Sequence, residues 1–148
     1  MVDLMSLDPS YRSDPSNGVN AILEDVAIAS FGHTSHARRY TRLAPAPGPN
    51  ASVRVQTSRS GMPHSVQTNI KGALRYVFFP SLNGTWGEMY YASPCVTSAG
   101  DSGAPVEDAN GELIGHVIAG GDYTYIQDAD YQLRQISQKS SFHGNLAL

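Results

Sequence analysis

Cysteine is nearly absent from this chain. Cys95 stands alone, so no internal disulfide staples the fold and a hydrophobic core must hold it together. Long apolar runs are missing too: no stretch approaches the roughly 20 residues needed to span a bilayer, and no membrane partner is expected. A charged-then-apolar signal pattern is lacking at the N-terminus, and the sequence assigns no compartment. Charge of one sign is scarce. Ten basic against thirteen acidic residues leave a formal net charge of −3, which argues against nucleic-acid and membrane-surface roles. Arg38, Arg39 and Arg42 beside Tyr40 make only a local basic patch, read as a solvated loop. No internal repeat, heptad run or low-complexity tract is present.

What the chain does carry is Gly100-Asp101-Ser102-Gly103-Ala104-Pro105-Val106. Glycines on either side of a serine suit a sharp turn in which backbone N–H groups crowd one point. A serine hydroxyl attacks a carbonyl only with a base to take its proton and donors to hold the developing oxyanion. Ser102 is thus a candidate nucleophile for acyl transfer, with the N–H groups of Gly100 and Ser102 as oxyanion donors. The context supports it. Val106 opens a strand that reaches an Asn110-Gly111 turn, and Leu113 to Ala119 reads as a returning strand that ends in Gly120-Gly121. The bland alternative is a glycine-rich surface turn before an ordinary hairpin.

Upstream, residues 21–31 place Asp25 at the head of an apolar strand, Val26-Ala27-Ile28-Ala29. Together with the serine motif and the Pro-Val that follows it, this resembles the chymotrypsin-like (trypsin-fold) serine peptidases, over the stretch from Asn20 to Ile136. The resemblance implies a mostly β fold: the second six-stranded antiparallel barrel, one strand of the first barrel, and a short C-terminal helix. It also implies hydrolysis of polypeptide substrates through a serine acyl-enzyme, without cofactor or metal. Ser102 would be the nucleophile and Asp25 the acid that orients the base. The substrate pocket would have Val96 at its floor, Thr97 and Ser98 beside it, and Val117, Ala119 and Gly120 along its wall. None of these is charged, so a small or neutral apolar substrate side chain is expected rather than a cationic one. An α/β-hydrolase is disfavoured because its elbow needs Gly-x-Ser-x-Gly and Ala104 stands at the last position.

The general-base histidine of that family precedes the aspartate, and residues 1–24 contain no histidine. All five histidines, His33, His36, His64, His116 and His143, follow Asp25. His33 and His36 sit in a basic connector after the Asp25 strand. Their spacing without a third ligand does not make a metal site. Strand alternation turns His116 away from the pocket and gives the pocket-facing place to Val117. His64 and His143 have no motif around them, and Cys95 lacks one for a catalytic thiol and reads as a small core residue. The chain is therefore expected to be the C-terminal portion of a longer peptidase, lacking its base and partnered by the missing N-terminal half of its barrel pair. The alternative is an inactive remnant or binding module of the same fold.

In order along the chain, residues 1–18 are expected as a loose leader, 19–42 as the remnant of the first barrel, and 43–50 as a Pro-rich linker. Residues 51–137 then form the barrel with the nucleophile, and 138–148 a flexible tail. Within the barrel, strands are expected over 51–57, 72–79 and 89–92, with a short helix near 128–137.

Overall fold

The computed structural model describes residues 2–6, 22–23, 27–31, 40–79 and 84–139, with side chains over 40–79 and 87–134. Alternation sets the first barrel strand, β4 (Ser52–Arg59): Val53 and Val55 are buried while Ser52 and Arg54 face out. Ser60 and Gly61 both have positive φ, 52° and 77°, the backbone of a two-residue hairpin whose twist matches its strands. The chain then returns as β5 (Met62–Phe79), 18 residues long. Its first half pairs with β4 and its second half with β6 (Gly84–Ser93). The register shifts between Ile70 and Gly72, and a Cβ on Gly72 would stand 2.9 Å from the Tyr91 ring. Glycine at 72 therefore lets Tyr91 close over the bend.

After the loop that carries Ser102 come β7 (Pro105–Glu107), β8 (Leu113–Ala119) and β9 (Thr124–Asp128). β7 lies between β4 and β8, and β9 pairs with both β8 and β6. These pairings close the ring β4-β5-β6-β9-β8-β7, a six-stranded antiparallel barrel. Its interior holds Val53, Val55, Ile70, Val106, Val117 and Ile126 at 0–2% exposure. Each such side chain contributes roughly 1.5–3 kcal/mol by leaving water. Gly115 is fixed by packing, since a Cβ there would stand 2.0 Å from the Gln127 carbonyl oxygen.

Asp128 ends β9 and caps α1 (Ala129–Lys139), accepting the Tyr131 N–H at 2.8 Å. The helix is fastened to the barrel by a buried amide chain. His116 Nδ1 meets Gln132 Oε1 at 2.8 Å, Gln132 Nε2 donates to Gln127 Oε1 at 3.2 Å, and Gln127 Nε2 donates to the Gly87 carbonyl at 3.0 Å. Burial pushes the His116 pKa down, against the opposing pull of Gln132.

Outside the barrel, β2 (Ile22–Leu23) runs parallel to β6, and β1 (Val2–Ser6) pairs with β3 (Ala27–Phe31). The region expected as a loose leader thus contributes a strand over residues 2–6. The β4, β5 and β6 strands are longer than composition suggests, because their polar outer positions still join the ladders. The β7–β8 connection is a five-residue loop, 108–112, rather than a two-residue Asn-Gly turn. Asp108 accepts the Asn110 and Glu112 N–H groups at 2.8 and 2.9 Å and so organises it.

Candidate active site

Ser102 sits at the crest of two consecutive turns. The Asp101 N–H donates to the Ser98 carbonyl at 3.1 Å, and the Ala104 N–H donates to the Asp101 carbonyl at 2.9 Å. Gly100 and Gly103, with φ of 97° and 88°, supply the backbone each turn needs. The far side of the crest is tied to β8 by Gly103 N–H to Val117 O at 2.8 Å and Val117 N–H to Ala104 O at 2.9 Å. Ser102 is exposed. Neither the Gly100 nor the Ser102 N–H donates to a protein acceptor among the described residues.

The acid before the serine points the other way. Asp101 is 4% exposed and takes a two-pronged ion pair from Arg59, Nη1 to Oδ1 at 2.7 Å and Nη2 to Oδ2 at 2.8 Å. The Thr57 hydroxyl donates to the same carboxylate, as does the Ser98 N–H at 2.8 Å. The Arg59 hydrogen bonds are the largest cause holding the Asp101 carboxyl well below the usual carboxylate range; burial opposes them, and Thr57 and Ser98 add to them. The tip of the β4–β5 hairpin thereby clamps the Ser102 turn from 42 residues away.

Beside Ser102 lies an open cleft of about 350 Å³, lined by residues 97–100, 102 and 117–121. Of the expected pocket residues, Thr97, Val117, Ala119 and Gly120 line it, as do Gly100 and Ser102. Val96 does not. It packs against the barrel core, its N–H donated to Thr124 Oγ1 at 3.1 Å. Cys95 lies behind that wall, its Sγ 3.5 Å from where a Gly120 Cβ would stand. Burial pushes its thiol up, but donors from Gly121 and Thr97 more than offset this and lower it to about 7.

Asp25, His33, His36 and His143 lie outside the described residues. Of the described histidines, His64 is exposed on β5 and His116 is turned to α1; neither lines the cleft. Sequence reasoning missed Arg59 and Thr57, whose only local signal was their place beside a hairpin turn.

The closed barrel and the short terminal helix are those of the trypsin-like serine peptidase fold. Solved structures share it. The chain is similar to the inactive form of the Rv3671c protease, with 22% identity and a TM-score of 0.69 over 94% of this chain and 67% of that one. A serine-to-alanine mutant of Rv3671c from M. tuberculosis H37Rv aligns with 21% identity and a TM-score of 0.68, over 97% of this chain and 66% of that one. The MamO protease domain from Magnetospirillum magneticum aligns with 15% identity and a TM-score of 0.64, over 90% and 66%. The chain therefore spans about two thirds of the length of each. No family model and no curated protein matches it.

Proposed function

We propose that the chain is the nucleophile-bearing part of a serine endopeptidase, in which Ser102 forms an acyl-enzyme with a polypeptide substrate. The observation that carries this reading is an exposed serine at the mouth of an uncharged cleft, on a turn whose Gly100 and Ser102 N–H groups are left without acceptors. Two such donors would stabilise the tetrahedral intermediate by roughly 3 kcal/mol each. Asp25 is assigned the orienting role from the resemblance alone. No described histidine lines the cleft, and the reading assigns no general base among the described residues. A serine hydroxyl without an imidazole partner is almost wholly protonated and weakly nucleophilic at neutral pH.

The test is mass-spectrometric mapping of a fluorophosphonate probe with and without free imidazole as a substitute base. Little adduct is expected in plain buffer. Imidazole should raise it at Ser102, and Ser102→Ala should abolish it. Adducts scattered over other serines, or no response to imidazole, would contradict the proposal. Robust labelling without imidazole would show a base within the chain, to be located by His33→Ala, His36→Ala and His64→Ala.

A further inference from the structure

β5 is paired on both sides only at Asn69. β4 accompanies it up to that residue, and β6 takes over from Asn69 to Phe79. At Ile70 the N–H still donates to the Ala51 carbonyl, and the Asn50 N–H donates back to the Ile70 carbonyl. Each half of β5 therefore leaves one edge without a backbone partner among the described residues. The two open edges differ in kind. The first carries Pro63, His64, Ser65 and Gln67, all exposed, and a proline among polar side chains keeps an edge from recruiting strands. The second, residues 71–79, has no proline and runs for roughly 30 Å. It exposes Leu74, Tyr76 and Phe78 at 39%, 53% and 61%. These alternate positions share one face of the strand, whereas Val77 and Phe79 pack against Met89 and Ile118.

Charge decides what such an edge admits. Residues 70–79 contain Lys71 and Arg75 and no acid. Both are exposed, and neither forms an ion pair among the described residues. Arg75 holds its guanidinium 5.7 Å from the Tyr76 ring centre, even though Glu88 stands nearby on β6. A second copy pairing through the same edge would bring two more cations into one ribbon and no acid, which strand pairs disfavour. An incoming strand with acids on one face and apolar side chains on the other meets the cations and the Leu74-Tyr76-Phe78 stripe together.

We propose that the 71–79 edge of β5 is a docking site for an extended segment of a partner protein, in which acidic and apolar residues alternate, and which adds to the sheet as a further strand. Main-chain hydrogen bonds to the open edge supply the affinity, and the stripe and the two cations supply the selection. The site is separate from the cleft beside Ser102, which no β5 residue lines, and it needs no peptidase chemistry.

The probe is an acetylated and amidated peptide of about eight residues, alternating valine and glutamate, long enough to cover the edge. It is titrated into the 148-residue chain and followed by backbone amide NMR. The amides of residues 71–79 should shift while those of 117–121 stay in place. The same peptide with lysine in place of glutamate should bind about tenfold more weakly, from two exposed charge pairs lost and reversed. N-methylation of the peptide amides should abolish binding, because the edge then meets no donors. Lys71→Glu and Arg75→Glu together should reverse the preference in favour of the lysine peptide; both residues are exposed, so the barrel is expected to stay folded. Ser102→Ala should bind as the wild type does, which separates this result from the fate of the peptidase reading. Equal affinity for the two peptides, no loss on methylation, shifts at 117–121 in place of 71–79, or no binding would each overturn the proposal. So would concentration-dependent dimers whose contact maps to 71–79, which would give the edge to a second copy.

Discussion

The turn that carries Ser102 and the loop that joins β7 to β8 each combine an aspartate with glycine at positive φ: Asp101 with Gly100 and Gly103, Asp108 with Gly111. Asp108 is satisfied by its own loop, through the N–H groups of Asn110 and Glu112. Asp101 instead finds most of its partners on the β4–β5 hairpin tip, Arg59 and Thr57. Residue types are alike, but the holding forces differ in range. The β7–β8 loop is held by its own five residues, whereas the Ser102 turn, beyond its local hydrogen bonds, is also held by β4 from across the barrel. Local turns of the first kind are cheap hairpin connectors. The second kind ties the position of Ser102 to the integrity of the whole barrel.

Removing the acids should expose this difference. The largest effect is expected from Asp101→Ala, which strands Arg59, Thr57 and the Ser98 N–H together. Its melting temperature should fall further than that of any variant in the 108–112 loop, and amide hydrogen exchange at Gly100, Ser102 and Gly103 should accelerate. Arg59→Ala comes next, leaving a buried carboxylate without its cation. It should also change the response to acid. Because the folded-state pKa of Asp101 is depressed, chiefly by Arg59, its stabilisation is complete above the unfolded value of about 3.9 and lost as pH falls through the folded value. Arg59→Ala should raise the folded value and move the acid limb of the thermal stability curve to higher pH. An unchanged acid limb would break the proposed contrast.

Gly103→Ala and Gly111→Ala sharpen the comparison. Both sites have positive φ and open space around the missing Cβ, so each should cost about 1–2 kcal/mol from backbone strain alone. Equal costs in thermal unfolding would show that the glycines do the same job in both turns and that the acids make the difference. Asp108→Ala is the smallest change, at about 1 kcal/mol for the lost acceptor. It should leave exchange at Ser102 untouched.

How much of this was legible beforehand follows from the same contrast in range. The hydrophobic alternation of Val53 and Val55, the run over β8 and the Gly-Asp-Ser-Gly motif are local, and they placed the barrel strands and Ser102 without help from distant residues. The clamp was not legible, because nothing in Thr57-Ser58-Arg59 says which acid 42 residues on it will meet. Val96, expected at the pocket floor, packs against the barrel core, and Thr97, expected beside it, lines the cleft. Counting back from Ser102 cannot tell that Val96 turns into the core and Thr97 into the cleft, since that depends on distant residues such as Thr124, which accepts the Val96 N–H. The strand at residues 2–6 is not legible because turn-forming Asp8-Pro9, Asp14-Pro15 and Asn17-Gly18 follow it, while its partner is β3.

The claim on which the account turns is that the Gly100 and Ser102 N–H groups serve one oxygen. It is tested most directly by comparing their amide proton shifts in the free chain and in the Ser102 fluorophosphonate adduct, whose phosphonyl oxygen mimics the oxyanion. The account predicts that both resonances move downfield together on adduct formation, and that Gly111 in the β7–β8 loop does not move. An adduct on Ser102 that leaves either amide where it was would contradict it.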